Sequence, residues 1–426
     1  MPLTVLSDSD IRSLLLCLTL NDVQRFQTNL AEALHDYSTG TQETTACCSA
    51  NQPQRISIPA PNSQNTLFMP ASTSTSRGIK IISVSSAPHS SPSASTTTLT
   101  PSSTASSHSS QPSLTKPQPP QASIASSQTT TPHGSLTLLH PSGTPYAFLS
   151  ASELTAFRTA LASTLIFKRR SNVHSITVFG AGKQAYWHIR LALLLRGSEI
   201  HHIDIVNRSF ARAQTLMQEI YTSEEWADLR NANEKLKFSI VSADYGEYNR
   251  LLKEHVRKAD IIFLCTPSTV PLFPPEHLTH SEGRRKGRYI SAIGSYREHM
   301  LELHPDILLQ AVAPEHKNHH HKHASKGGVI VVDGLEACLK EAGEIMQAGL
   351  GAEQLVEVGE LLMVKKASMR ELEMGTGEGE VGLKRWLEGG NVIYKSVGLG
   401  LMDICVGEDL VNLAREKGVG TTIPDF

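Results

Sequence analysis

Apolar and polar positions change period several times along the chain, and each change marks an element. Val23, Phe26, Leu30 and Leu34 recur at helical spacing, which predicts a long helix with Asn21 as its cap. A shorter helix is expected over 10–18, capped by Asp8 or Ser9, after a short opening strand. Residues 55–59, 66–70 and 78–84 read as strands. Two more, over 136–139 and 146–149, flank the turn Pro141-Ser-Gly-Thr-Pro145. Ser152 is expected to cap a helix carrying Arg158. Beyond residue 172 the pattern changes to short, continuously apolar strands separated by helices. These strands lie at 175–179, from 201 to Asn207-Arg208-Ser209, within 259–268, at 288–294 and at 329–333, the last expected to complete the sheet. Strands of this kind belong to a parallel sheet covered on both faces. The segment from Ser396 onward reads as a long closing helix.

One turn in the second half carries chemistry. The strand at 175–179 runs into Gly180-x-Gly182-x-x-Ala185 and then a helix over 183–195. Gly180 permits the tight turn, Gly182 lets a pyrophosphate approach the backbone, and Ala185 allows close helix–strand packing. The helix start, at Lys183 and Gln184, offers unpaired N–H groups and a positive dipole end to phosphates. Alone, the motif is an ordinary strand-to-helix turn. Its flanking strand and helix, with a second strand about 20 residues on, make it a dinucleotide site. That second strand ends in Asn207-Arg208-Ser209 where an NAD site places an acid, and Asp204 falls inside the strand. A guanidinium beside two neutral hydrogen-bonding groups suits a 2′-phosphate, so NADP(H) is favoured, with NAD(H) possible. Thr266 and the run Ala292-Ile293-Gly294 stand at strand ends that line the same crevice.

Composition narrows the picture. From 85 to 133 the chain is mostly Ser, Thr, Pro, Ala and Gln, with no aromatic and no acidic residue. Such a stretch buries too little apolar area to offset its ordering entropy and is expected to be a disordered insert. Two further inserts are expected near 315–327 and 371–382. The first holds the histidine run 316–323, read as a solvated loop with no resident metal. Six cysteines, at 17, 47, 48, 265, 338 and 405, show neither metal nor disulfide spacing. Net charge is −2, which implies no bulk attraction to nucleic acid or anionic membrane. The apolar run at 14–18 is too short to span a bilayer, and no leader is evident, so a cytoplasmic protein is expected.

In order along the chain, several pieces match one family. They are Gly78-Ile-Lys80, Thr155-Ala-Phe-Arg158-Thr-Ala-Leu-Ala162, Gly180-Ala-Gly-Lys-Gln184 and Ala259-Asp260 through Thr266-Pro-Ser268. Ala292-Ile-Gly294, Val332-Asp333 with Glu341-Ala-Gly343, and Lys395-Ser-Val-Gly398 with Asp403 continue the match. The chain resembles the ornithine cyclodeaminase/mu-crystallin family. The resemblance implies an α/β subunit in which a Rossmann-type doubly wound sheet is inserted in a second, α+β substrate/dimerisation domain. It divides the chain into 1–84 and 134–171 (substrate/dimerisation domain), 85–133 (insert), 172–391 (Rossmann domain) and 392–426 (a helix returning to the substrate domain). It also implies a homodimer, a nicotinamide cofactor touching Ser396, and hydride chemistry at a carbon bearing nitrogen. Lys80 and Arg158 then correspond to the family's clamp on a substrate carboxylate, and Arg55 to a third basic contact. Such a grip holds the neighbouring carbon over the nicotinamide.

One departure bears on the reaction. After Ala-Ile-Gly the family's cyclodeaminases carry an Asp, with a Lys four residues later. Tyr296 and Met300 stand at these positions here, and Glu298 and His299 lie displaced along the loop. Cyclodeamination needs a proton carrier. A protonated ketimine already accepts hydride, so the leading expectation is an NADPH-dependent ketimine reductase acting on a small imino acid, or the reverse amino-acid oxidation. The alternatives are a catalytically silent NADP(H)-binding protein and, behind it, ornithine cyclodeaminase.

Overall fold

The continuously apolar strands of the second half form one parallel sheet. Among the described residues its spatial order is Leu355–Glu357, Ile330–Val332, Val392–Lys395, Tyr289–Ala292, Ile261–Leu264, Ser175–Phe179, His202–Val206 and Lys237–Val241. Every neighbouring pair is parallel. Chain direction across the sheet reverses between Ser175–Phe179 and Ile261–Leu264, which places a crevice at their carboxyl ends. The expectation that 329–333 completes the sheet is corrected. Leu355–Glu357 follows at the edge, and Val392–Lys395 slots between Tyr289–Ala292 and Ile330–Val332. Four residues just past Gly389-Gly390 give little periodicity to read, so the expected boundary at 391/392 falls directly before a strand of this sheet.

The computed structural model describes residues 2–40, 52–59, 64–85, 133–281, 283, 286–313, 328–362 and 378–426. The insert expected over 85–133, apart from its ends, and the 316–323 histidine run lie outside them, as does most of 371–382. A second sheet runs in the order Thr421–Ile423, Leu3–Leu6, Pro145–Ser150, His133–Leu139, Arg77–Ser85, Gln64–Ser72 and Ile56–Pro59. It is antiparallel except where Leu3–Leu6 meets Pro145–Ser150. Both ends of the chain thus share one sheet.

Caps shift the expected helix starts. Ser7 caps Asp8–Leu16 and Thr19 caps Leu20–Thr39, each in a reciprocal box with an Asp three residues on. Ser152 does not cap Ala151–Phe167. Asp8 reaches across instead, and its Oδ1 accepts from Glu153 N and Ser150 Oγ, both at 2.9 Å. The closing helix begins at Gly400, because Gly398 holds φ at 88° and no helix runs through such a residue. Ala151–Phe167 is buried nearly all round, between the second sheet and the helix Lys183–Arg196. One apolar cluster runs from Leu6, Phe26 and Leu136 through to Ile176, Ile203 and Val392, so the two sheets share a core. Among the described residues no helix is long and apolar enough to cross a membrane.

Candidate active site

Gly180 sits at φ 113°, where a side chain is strained, and a Cβ there would lie 3.0 Å from the Cys265 carbonyl oxygen. Gly182 begins the helix Lys183–Arg196, which no side chain caps, and a Cβ on it would meet nothing within 4 Å. The first N–H groups of this helix therefore open on clear space. Beside them the side-chain Oε1 of Gln184 is buried without a hydrogen-bond partner among the described residues. Uncapped N–H groups and room above a glycine fit a dinucleotide phosphate, whereas the Gln184 oxygen calls for a hydrogen-bond donor. Ala185 is fully buried, as the packing argument requires. The side chain of Lys183 is committed elsewhere. Its Nζ donates to Asp8 Oδ2 and Ser152 Oγ, 2.9 Å each, and so ties the turn to the other sheet's helices.

The end of the next strand lies alongside, since Gly180 N donates to Val206 O at 2.9 Å. Its two neutral groups are used locally. Asn207 Nδ2 donates to Ser209 O at 2.8 Å, and Ser209 Oγ accepts from Arg212 N to cap a helix. Arg208 is exposed and joins no ion pair among the described residues. Asp204 stays within the strand, accepting from Ser239 Oγ at 2.6 Å.

Across the crevice three elements bring charge together. Lys80 comes from Arg77–Ser85, Arg158 from Ala151–Phe167 and Asp403 from Gly400–Lys417. Asp403 Oδ1 accepts from Lys80 Nζ at 2.8 Å and from Arg158 Nε at 3.1 Å, and all three residues are buried. Arg158 Nη1 reaches Met402 Sδ at 3.5 Å. Its Nη2 has no acceptor among the described residues, and a Cβ on Gly398 would crowd it at 2.9 Å. Two cations against one carboxylate leave one net positive charge. Burial pushes the Lys80 ammonium down to about 8, with Asp403 opposing the shift and Arg158 adding to it.

A cavity of about 200 Å³ joins the two halves of the crevice. Its wall includes Lys80, Arg158, Gly182, Lys183, Gln184, Ile293, Gly294 and Ser396, with Leu67, Met69, Ile82, Val84 and Tyr296 in the apolar part and, among the described residues, no Asp or Glu. Arg55 borders it and is paired with Glu341. Tyr296 stays a neutral phenol, its acidity lowered by burial, and Met300 does not reach the wall. His188, beneath, is buried and pushed down to about 4, hence a neutral imidazole. Ser396 donates its hydroxyl to Asp333 Oδ2 at 2.6 Å. Asn207, Arg208 and Ser209 stand outside the wall, at the neighbouring strand end.

Behind Gly294 lies a second cluster. Glu302 accepts from Thr266 N at 2.8 Å, Gly294 N at 2.7 Å and Ser295 N at 3.1 Å. Its own N–H donates to Glu344 Oε1 at 2.8 Å, and Lys395 Nζ lies 3.3 Å from Glu344 Oε2. The backbone donors of Thr266 and Gly294 are thereby occupied, and the strand end at Ala292 is fixed behind the cavity. Asp403, Glu302, Glu344 and Lys395 were not identified as site residues from sequence. Asp403 did leave a signal, an acid in the first turn of a helix flanked by Leu401, Met402 and Ile404, a position that buries it.

The profile of the ornithine cyclodeaminase/mu-crystallin family matches residues 118–355, more than half of the chain. The chain belongs to this family. Within the ornithine cyclodeaminase/mu-crystallin family it is 29% identical over 289 residues to the Delta(1)-pyrroline-2-carboxylate reductase of Bacillus cereus, covering 66% of this chain and 71% of that protein. It is 27% identical over 231 residues to the mouse (Mus musculus) ketimine reductase mu-crystallin, covering 54% of this chain and 58% of that protein. The Thermococcus litoralis Delta(1)-pyrroline-2-carboxylate reductase, solved in complex with NADH and L-proline, shares the fold at TM-score 0.64. It is 18% identical, with 99% of this chain and 100% of that chain covered.

Proposed function

We propose that the protein reduces the C=N bond of a small imino acid with a nicotinamide cofactor, in the manner of a ketimine reductase, or runs the reverse amino-acid oxidation. The observation that carries this reading is the convergence of Lys80 and Arg158 on the wall of a cavity that also holds the Gly182 helix start. Relatives named for reducing cyclic imines support it.

A bound reduced nicotinamide supplies the hydride. Gly182 and the N–H groups behind it would hold its phosphates, and Gln184 Oε1 would be free to accept a donor from the same ligand. Arg208 would hold a 2′-phosphate, which would make NADP(H) the preferred form. Lys80 and Arg158 hold the substrate carboxylate, so the adjacent C=N carbon cannot rotate away. The apolar wall keeps water out and strengthens this grip. The substrate enters as a protonated imine. Its carbon takes up the hydride, the π pair becomes the nitrogen lone pair, and the product is a neutral secondary or primary amine. No protein acid is consumed, which fits a wall without Asp or Glu among the described residues. Cyclodeamination has no such economy, because ammonia must also leave.

The edge strand Ile56–Pro59 exposes Ile56 and Ile58, 60% and 53% accessible. An apolar sheet edge is a pairing surface, and we assign it to a homodimer, which light scattering checks.

The deciding experiment follows NADPH oxidation with Delta(1)-pyrroline-2-carboxylate, with NADH in parallel. Turnover that is faster with NADPH is expected. Tight NADPH binding without turnover on any cyclic or linear ketimine carboxylate would replace this reading with a binding protein. Proline and ammonia from ornithine would replace it with a cyclodeaminase.

A further inference from the structure

The charges around the cavity can be counted. Lys80 and Arg158 share Asp403, and Lys183 is held by Asp8 with Glu153 at 3.5 Å. Arg55 is held by Glu341. Lys340, next in sequence to Glu341, pairs with Glu336 at 2.7 Å and leaves Glu341 to Arg55. Among the described residues one positive charge remains uncompensated, at the Lys80–Arg158 pair.

Arg55 belongs to the same cavity. It lines the wall with Met69 and Tyr296, and its charge bears on both Lys80 and Tyr296. On its other side it borders a smaller pocket with Glu341 and Gly398. The pair is partly exposed, 16% for Arg55 and 28% for Glu341. Arg55 lines the same cavity as the aliphatic side chains of Leu67, Met69, Ile82 and Val84. A substrate carrying one carboxylate matches that charge. A second carboxylate would be desolvated against aliphatic side chains with its natural partner already taken.

We infer that Glu341 is a specificity-determining residue: by holding Arg55 it confines the site to imino acids with a single carboxylate and an uncharged body. The inference rests on the imino-acid reading above, and its test uses binding rather than turnover so that the two can fail separately.

The matched probes are L-2-aminobutyrate and L-aspartate, which differ only in a terminal methyl or carboxylate, titrated by calorimetry into the NADP⁺-bound protein. The wild type is expected to bind L-2-aminobutyrate at least tenfold more tightly. Glu341→Gln frees Arg55 and should move the affinity ratio towards L-aspartate by about tenfold or more, the scale of one newly paired charge in a desolvated site. Glu341→Ser, smaller and also neutral, must move it the same way, which guards against a folding fault in one variant. Arg55→Met combined with Glu341→Gln must cancel the gain. Equal affinity of the wild type for both probes would overturn the inference. So would variants that tighten both probes alike, since Arg55 would then be joining the common carboxylate. Absence of NADPH oxidation with every imine would overturn the reductase reading and leave the binding ratio to be judged on its own.

Discussion

Lys80, Arg158 and Asp403 put two cations and one carboxylate against the cavity, whereas Glu302, Glu344 and Lys395 put two carboxylates and one ammonium behind it. Both clusters are buried, and each has one charge left over. They differ in where the surplus goes. Behind the cavity, backbone N–H groups of Thr266, Gly294 and Ser295 turn to Glu302, and the Glu302 N–H turns to Glu344. That cluster is closed by protein groups, with Glu344 Oε2 left only the ion pair to Lys395 Nζ at 3.3 Å, and it braces two strand ends. At the cavity, the surplus is positive and Arg158 Nη2 finds no protein acceptor among the described residues. A buried charge set without enough protein partners is a binding device; one closed by the backbone is a scaffold.

The largest expected effect tests the scaffold. Lys395→Met removes the cation from two buried carboxylates and should lower stability by about 3–5 kcal/mol in denaturant unfolding. Unchanged stability with lost activity would place Lys395 in the substrate machinery and erase the distinction. Arg158→Ala tests the other cluster. It leaves Lys80 and Asp403 as a balanced pair, so the fold should persist. Imine turnover should fall by a factor corresponding to about 2–5 kcal/mol, the loss typical of a truncated buried charge contact. Unfolding on the scale of Lys395→Met would show that the clamp, too, is structural.

Arg208 lies outside both clusters and gives a smaller effect. Arg208→Asp removes one charged hydrogen-bonding partner and adds repulsion. It should shift the NADPH/NADH ratio of kcat/KM towards NADH by roughly tenfold to a hundredfold, since charged hydrogen bonds contribute about 1.5–3 kcal/mol. No change in the ratio would remove Arg208 from the 2′-phosphate.

The two clusters also differ in how legible they were. The glycine turn announces itself because backbone geometry restricts Gly180 to glycine, Gly182 leaves the space above the helix start clear, and the strands around it are apolar throughout. Lys80 and Arg158 came from resemblance, not from pattern; an isolated Lys on a strand and an Arg on a helix look like surface residues until the fold buries them. Asp403, Glu302, Glu344 and Lys395 pair across 42 to 323 positions of chain, a separation that periodicity cannot report. Val392–Lys395 escaped for a related reason, as its place in the middle of the sheet is decided by partners rather than by its four residues. Asn207 and Ser209 were read as ligand groups from their type, yet local turn and cap bonds claim Asn207 Nδ2 and Ser209 Oγ.

The smallest effect is a pH profile in which each cluster owns one limb. Lys80, lowered by burial to about 8, is a cation below that value and neutral above it. Losing the proton removes half of the grip, so kcat/KM, which reports the free enzyme, should fall as pH rises through about 8. The fall should level off once Arg158 alone holds the carboxylate. Glu302, raised by burial to about 7 with Glu344 adding to it and Lys395 opposing, is protonated below that value. A protonated carboxyl accepts fewer backbone donors, so the brace should loosen and kcat/KM should decline as pH falls through about 7. Lys80→Arg replaces a titrating cation with one that keeps its proton. The alkaline limb should then vanish while the acid limb stays. An alkaline limb that survives Lys80→Arg would belong to the imine itself, and an acid limb that survives Glu302→Gln would detach the brace from catalysis.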